Sequence, residues 1–514
     1  MELLVVTRQL DVITIGRASV DIYGRQVGGL LEDMASFNKY IGGSPTNIAA
    51  GAARLGLRTA LITRVGDEHF GRFIKNQLSC EGVDVSQVVT DRERLTALAI
   101  LGIRDDETFP LIFYRENCAD MALSVDDIDK DFVSSARCLC ATGTHLSNRQ
   151  TEAAVLKAVT LAREAGARTA LDIDYRPNLW GLGGHDQGES RFIASHRVTD
   201  RMQAHLGLFD LIVGTEEEFH IAGGSTRLMH ALANVRELTS ATLVCKRGPL
   251  GAVAFAGPIP KTAEEGEFGE AFQIEVFNVL GAGDGFMAGL LKGWLDDSDW
   301  QTTMRIANAC GALAVSRHGC APSYPSLQEL EFFLSRGVLT PALRHDSELE
   351  QVHWATNRNT DWPVLRILNI AGSRPSESKG GNSCTRGGSP SNSPLSCLST
   401  LLKVAGKEKG YGVICDDESG RSALHRAAGT GLWIGRPVEE SNSRPLRFEG
   451  RLGSDLGGLQ EWPLEHVVRV RCICAISDSA ELWSRQLDSL QRLFSAARRC
   501  RLELLIELIA ANQG

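Results

Sequence analysis

From Asp11 to about Gly337, short β-branched runs alternate with amphipathic segments, and this alternation constrains the fold more than any other feature of the chain. It predicts an α/β domain built on a largely parallel sheet. The expected strands are Val12 to Ile15, Thr59 to Thr63, Cys138 to Thr142, Thr169 to Ile173, Leu211 to Val213 and Thr242 to Lys246. Helices such as Asn47 to Leu55 and Thr151 to Glu164 fall between them. At 514 residues the chain is too long for one ordinary core, and residues 1–338 are expected to form one domain of it.

Composition narrows the function classes. Hydrophobic residues at 43% and charged residues at 23% are those of a soluble globular protein. A net charge of −9 offers no basic footprint for nucleic acid or anionic lipid. No run of about 18 apolar residues is present to cross a bilayer. Met1 to Leu10 lacks the basic segment and cleavage site of a secretory signal, so a cytoplasmic protein is expected. Of the thirteen cysteines none forms a Cys-x-x-Cys pair. Cys138/Cys140 and Cys472/Cys474 would each place both sulfurs on one face of a strand, the pattern of buried reduced thiols rather than of metal ligands.

Around residues 371–400 more than half of the positions are Ser, Gly or Pro. Such a segment cannot bury enough apolar surface to offset its ordering entropy, so a disordered linker is expected within a connector spanning 339–408. Residues 409–514 regain globular character, with a strand-like Val467 to Ile476 and a helix-like Ala480 to Ala510. That length falls far short of the roughly 200 residues of an eight-stranded β/α barrel, so an incomplete α/β second domain is expected.

The chemistry concentrates in Gly281-Ala282-Gly283-Asp284-Gly285-Phe286. Phe286, Leu290 and Trp294, and beside them Met287, Leu291 and Leu295, recur at intervals of four, so the glycines open a helix. The first amides of a helix lack internal partners and carry the positive end of its dipole, which makes an anion site. A carboxylate there would repel an anion; it makes sense if Asp284 takes a proton from a hydroxyl while the amides stabilise a transferring phosphoryl group. Near the amino terminus, Gly42-Gly43-Ser44-Pro45-Thr46-Asn47 opens a helix rich in small residues, and its glycine pair lets backbone approach a ligand closely. Each run alone is equally readable as a packed helix start.

Together the two signatures resemble those of the ribokinase-like (PfkB) carbohydrate kinases. Val65-Gly66-Asp67, Asp172-Ile173-Asp174-Tyr175-Arg176, Thr215-Glu216-Glu217-Glu218 and Lys246-Arg247-Gly248 fall in order between them. The resemblance implies a doubly wound α/β core with a small β lid closing over the sugar. It implies Asp284 as catalytic base, with Gly281, Ala282 and Gly283 as the anion hole. Asp21, Gly42, Gly43 and Asn47 would hold the sugar, and Gly248, Gly251 and Asn308 the nucleotide. ATP and Mg2+ follow as cosubstrate and cofactor. Glu217 would organise Mg2+ through water, with Gly214 standing where the family has Asn. Asn278-Val279-Leu280 replaces the family's Asp-Thr-Thr, so a monovalent cation is left open and would rest on backbone carbonyls.

Arg115 and Arg176 are placed to read an acid, because a guanidinium fork matches a carboxylate, although either could instead be a surface ion pair. Their positions resemble the acid-contacting ones of 2-keto-3-deoxygluconate kinases. The run Tyr114 to Leu123 and the presence of a second domain resemble the 5-dehydro-2-deoxygluconokinases of myo-inositol catabolism, in the form fused to an aldolase-barrel-like domain. That implies phosphorylation of the terminal hydroxyl of 5-dehydro-2-deoxy-D-gluconate. The alternatives are a 2-keto-3-deoxygluconate kinase, a fructokinase-like enzyme, or a sugar-binding protein without turnover. Gly412 to Asp417, Gly431 to Pro437 and Glu461 to His466 carry the second-domain match, with barrel framework as their expected role. No lysine follows Lys409, so that domain is expected to lack Schiff-base aldolase chemistry and to be dispensable for the kinase. The expected partners are a sugar acid and ATP, with a homodimer left open and neither nucleic acid nor membrane involved.

Overall fold

The computed structural model describes residues 8–105, 108–357, 362–371, 393–418 and 420–510. Two compact units divide between Thr360 and Asp361. In the first, thirteen strands form two sheets among the described residues. They are β1 (Leu10–Ile15), β2 (Ser19–Gly24), β3 (Phe37–Gly42), β4 (Thr59–Gly66), β5 (Val88–Asp91), β6 (Ala97–Leu101), β7 (Leu111–Tyr114), β8 (Ala136–Thr142), β9 (Arg168–Asp172), β10 (Leu211–Thr215), β11 (Thr242–Lys246), β12 (Ala252–Phe255) and β13 (Glu267–Gly269).

The larger sheet has nine strands in the order β13-β12-β11-β10-β9-β8-β1-β4-β5, parallel throughout except for the antiparallel β12 and β13 edge. Strands β2, β3, β6 and β7 form a separate sheet in the order β3-β2-β6-β7, which is the small lid that the resemblance implies. The central strands read as continuous apolar runs because both of their faces are covered. Ile13, Ile15, Leu139 and Ala141 join one core with the helix Arg149–Glu164; Val12, Cys138 and Cys140 join the other with the helices Ala282–Leu295 and Trp300–Val315. Cys138 and Cys140 thus share a buried face, where burial pushes the Cys138 thiol up to about 12.

Two helices carry the site, and both need small residues. A Cβ on Gly51 would lie 2.9 Å from the Ala288 side chain, so the helix Ser44–Arg54 packs closely on Ala282–Leu295. A Cβ on Gly289 or Gly293 would lie within 3 Å of the Trp300–Val315 backbone, at Ala307 and Thr303. Leu327–Arg336 and Ser347–Thr356 also belong to this unit: buried Arg317 pairs with Glu329 at 2.6 Å and with Glu350 at 2.6 Å, and His353 meets Glu329 at 2.6 Å. The unit therefore extends past 338.

The second unit is a parallel half-barrel of β14 (Arg366–Asn369), β15 (Tyr411–Ile414), β16 (Trp433–Pro437), β17 (His466–Cys474) and β18 (Glu503–Ala510), in sequential order. Its first strand lies in what the sequence reads as connector, as does the helix Pro394–Ala405, which buries Leu398, Leu401 and Ala405. The Ser/Gly/Pro-rich stretch 372–392 lies outside the described residues. The helix expected over Ala480 to Ala510 stops at Arg499; Arg501 then takes φ 57°, and residues 503–510 pair with β17 along their whole length. A short apolar run such as Glu503–Ala510 does not reveal its period, and an available neighbouring strand decides it.

Candidate active site

The carboxyl-terminal ends of β1, β8, β9, β10 and β11 converge with the first turns of the two glycine-led helices, the place where open α/β sheets bind ligands. Asp284 is the third residue of its helix. Its Oδ1 accepts a hydrogen bond from Ser44 Oγ and its Oδ2 one from Asn47 Nδ2, both at 2.8 Å. The two signatures, 240 residues apart, thus meet through one carboxylate. Burial, then the nearby Asp174 carboxylate, raises the Asp284 carboxyl above its usual range, while the Asn47 and Ser44 bonds and the Arg17 charge hold part of that rise back.

The glycines are sterically required. Gly281 precedes the helix with φ 83°, and a Cβ there would lie 2.8 Å from Cys320 Sγ. A Cβ on Gly42 would collide with the Asp21 carboxylate at 1.8 Å, and one on Gly43, with φ 97°, would lie 2.4 Å from the Arg17 carbonyl oxygen. Asp21 is buried against Gly42 and accepts from Ser19 Oγ at 3.0 Å; burial lifts its carboxyl to about 6 against the pull of Arg17.

Beyond the expected residues, the fold brings in several whose part in the site the sequence did not announce. Arg17, just after β1, pairs with Asp174 at 3.3 Å, and Thr144 Oγ1 donates to the same carboxylate at 2.8 Å. Lys246, at the end of β11, lies 3.0 Å from Asp172 and 3.6 Å from Glu218. Glu217 is exposed, whereas Glu218 is buried, and Thr215 and Glu218 close a reciprocal capping box at the helix start. Of the two, the expected Glu217 faces solvent, while Glu218 is the one that meets Lys246. The Thr-x-x-Glu spacing carried that signal in the sequence. Gly214 leaves room for it: a Cβ there would meet Glu218 Cβ at 3.2 Å and Ile173 Cδ1 at 2.7 Å.

The remaining expected residues divide. Arg115 is buried and its Nε donates to buried Asp120 at 2.7 Å, so it forms an internal ion pair rather than a surface one. Arg176 is partly exposed, with Nε 3.9 Å from Asp174. Gly248 and Gly251 form the tight turn after β11, closed by Arg247 N–H donating to Gly251 O at 2.8 Å. Asn308 donates to the carbonyls of Gly269 and Glu270 at 3.0 and 3.1 Å, tying the end of β13 to its helix. Asn278 is buried and accepts from Leu280 N–H through Oδ1 at 3.1 Å, bonding its own loop. Among the described residues no three metal-ligating side chains cluster.

Residues 9–327 match the pfkB family carbohydrate kinases, and the chain belongs to that family. Residues 329–514 match a family described as an uncharacterized protein conserved in bacteria (DUF2090). Over 334 residues the chain is 33% identical to a 5-dehydro-2-deoxygluconokinase from Geobacillus kaustophilus, covering 64% of this chain and 95% of that one. It is 28% identical to the protein of the same name from Bacillus subtilis, over 63% and 95%. Among solved structures it is similar to a PfkB protein from Polaromonas, with 29% identity, a TM-score of 0.52 and coverage of 63% and 99%. It is also similar to a candidate ribokinase II from E. coli held with ATP and Mg2+, with 26% identity, a TM-score of 0.56 and coverage of 64% and 99%.

Proposed function

We propose that the first unit transfers the γ-phosphoryl group of ATP to the terminal hydroxyl of a keto-deoxy sugar acid, 5-dehydro-2-deoxy-D-gluconate, as a step of myo-inositol catabolism in the cytoplasm. The observation that carries the reading is the buried Asp284 carboxylate held by Ser44 and Asn47 at the start of a glycine-led helix. Its raised pKa suits a base that must give up its proton again after each turnover. The relatives named 5-dehydro-2-deoxygluconokinase support the substrate.

In this mechanism Asp284 accepts the proton of the attacking hydroxyl as the new O–P bond forms. The amides of Ala282 and Gly283 face the charge on the phosphoryl oxygens. Asp21 and Asn47 hold sugar hydroxyls, with Gly42 and Gly43 keeping the backbone close. Arg176, and the Nη atoms of Arg115, receive the carboxylate. The Gly248–Gly251 turn and Asn308 border the nucleotide. Glu217, exposed in the first turn after β10, is suited to organise Mg2+ through water, and the ion would be shared with phosphates. When bound, Mg2+ neutralises phosphate charge.

The test is ATP consumption by the purified chain with 5-dehydro-2-deoxygluconate, 2-keto-3-deoxygluconate, fructose and ribose. The highest kcat/KM is expected for the first, and a higher value for either neutral sugar would overturn the acid reading.

A further inference from the structure

Lys246 has no role in the mechanism above, yet it stands beside the helix start to which that mechanism assigns the phosphoryl group. Its Nζ lies 3.4 Å from the position a Cβ on Gly283 would occupy, and Gly283 is the second residue of that helix. The ammonium is held there from two sides. Asp172, at the end of β9, lies 3.0 Å away, and Glu218, in the first turn after β10, lies 3.6 Å away. Lys246 itself ends β11, so three adjacent strands fix one charge. The lysine is largely buried, and so are both carboxylates.

Around the position of a Gly283 Cβ, the Lys246 ammonium is the one group outside that helix within 4 Å among the described residues, so an anion there would meet both the helix amides and the ammonium. Gly283 keeps the intervening space free of side chain. Gly214 does the same beneath Glu218, which lets the second carboxylate reach the lysine.

We propose that Lys246 contacts the γ-phosphoryl group of the bound nucleotide during transfer, and that Asp172 and Glu218 are positioning residues that aim its ammonium at the helix start. The inference rests on the kinase reading above and assigns one further catalytic residue to it. Burial alone would lower the Lys246 pKa, but Asp172, Glu218 and Asp284 more than reverse this, so the side chain is charged throughout the neutral range. An ammonium has three donors, so it can keep the two carboxylates and still meet a phosphoryl oxygen.

The experiment compares wild type with Lys246→Met, Lys246→Arg and the charge-balanced Lys246→Met/Asp172→Asn. Binding of the β,γ-imido analogue of ATP and of ADP, each with Mg2+, is measured by calorimetry, beside kcat on the sugar acid and thermal melting. Lys246→Met is expected to weaken the imido analogue about tenfold and to leave ADP within about twofold, because only the former carries the third phosphate. Its kcat is expected to fall about 100- to 1000-fold, the usual cost of removing one transition-state donor. Lys246→Arg should recover part of that loss. The double variant should melt like wild type yet stay as slow as Lys246→Met, and it carries the test if the single variant does not fold. Equal weakening of both nucleotides, or a double variant with kcat within about threefold of wild type, would overturn the proposal and leave Lys246 as a structural counter-ion. If wild type turns over none of the sugar acids the kinase reading fails, and the comparison of the two nucleotides still decides the role of Lys246.

Discussion

Both units gather charged side chains onto their parallel strands, but they balance them differently. In the first, five carboxylates (Asp21, Asp172, Asp174, Glu218 and Asp284) share three cations, Arg17, Arg176 and Lys246. Among the described ion pairs of the second, six carboxylates meet six arginines. Arg469 lies between Glu439 at 3.0 Å and Glu507 at 2.6 Å, and Arg471 meets Glu439 at 3.1 Å. Arg436 and Arg451 share Asp417, and Arg451 also pairs with Glu449. Buried polar atoms without a partner occur in both units, Asn47 Oδ1 and Thr142 Oγ1 in one and Arg436 Nε and His466 Nε2 in the other, so they do not separate a site from a framework. What differs is the balance of charge. Burial raises the carboxyls of Asp21, Asp172 and Asp284 in the first unit, which favours uptake of protons or cations there, and in the second it raises that of Glu449 even beside Arg451. The three second-domain segments singled out in the sequence converge on Arg436, which meets Asp417 and His466 and lies 3.7 Å over the Trp462 ring.

The largest effect expected from this contrast is at Asp284. Asp284→Asn should keep the fold and lower kcat by about two to four orders of magnitude, since an amide cannot accept the proton. A variant retaining more than about a tenth of wild-type kcat would remove Asp284 from the role of base. In wild type, kcat should decline on acidification with an apparent pKa above the ordinary aspartate value of about 3.9, because the raised carboxyl must be ionised to act; an inflection at the ordinary value would contradict the surplus-charge argument.

Next in size is the boundary of the kinase unit. A chain ending at Thr360 should phosphorylate as fast as the full chain. One ending at Val338 strips Glu350 and His353 from buried Arg317 and Glu329, and breaking such buried partnerships costs about 3–5 kcal/mol. Urea unfolding of the two truncations measures it, and equal midpoints would show that the Ser347–Thr356 helix contributes nothing.

The two arginines should then part company. Arg176→Ala is expected to raise KM for the sugar acid about 10- to 100-fold while leaving KM for ATP within about twofold. Arg115→Ala strands the Asp120 carboxylate, so it should also lower the melting temperature, and Arg115→Ala/Asp120→Asn should restore the melting temperature without restoring KM. Equal shifts in both KM values for Arg176→Ala would refute its contact with the carboxylate.

The smallest effect is one of stability. Folded Asp21 holds its proton to about pH 6, whereas an unfolded aspartate releases it near pH 4. Its ionisation therefore penalises the folded state as pH rises through that window. Asp21→Asn should stabilise the unliganded protein by roughly 3 kcal/mol at pH 7.5 and by less than about 1 kcal/mol at pH 4. A variant no more stable than wild type at pH 7.5 would mean that the surplus charge is already compensated.

The sequence by itself determined the features whose signal is local. The central strands were legible because strands covered on both faces must be apolar without interruption, and the glycine-led helix starts because Gly42, Gly43 and Gly281 stand where a side chain would collide. Those signals sufficed for the α/β core and for the two helix starts that bring Asp284 and Asn47 together. What crosses between elements was decided only by the tertiary structure. Residues 503–510 could not be told from a helix until β17 offered a partner along their length. Arg115 could not be seen as an internal ion pair until the chain folded Asp120 against it. Successive residues in a helix point about 100° apart, so a shift of one position separates exposed Glu217 from buried Glu218, and the Thr215 cap sets that rotation. Lys246 joins Asp172 and Glu218 only because β11, β10 and β9 lie side by side, an adjacency that no spacing along the chain encodes.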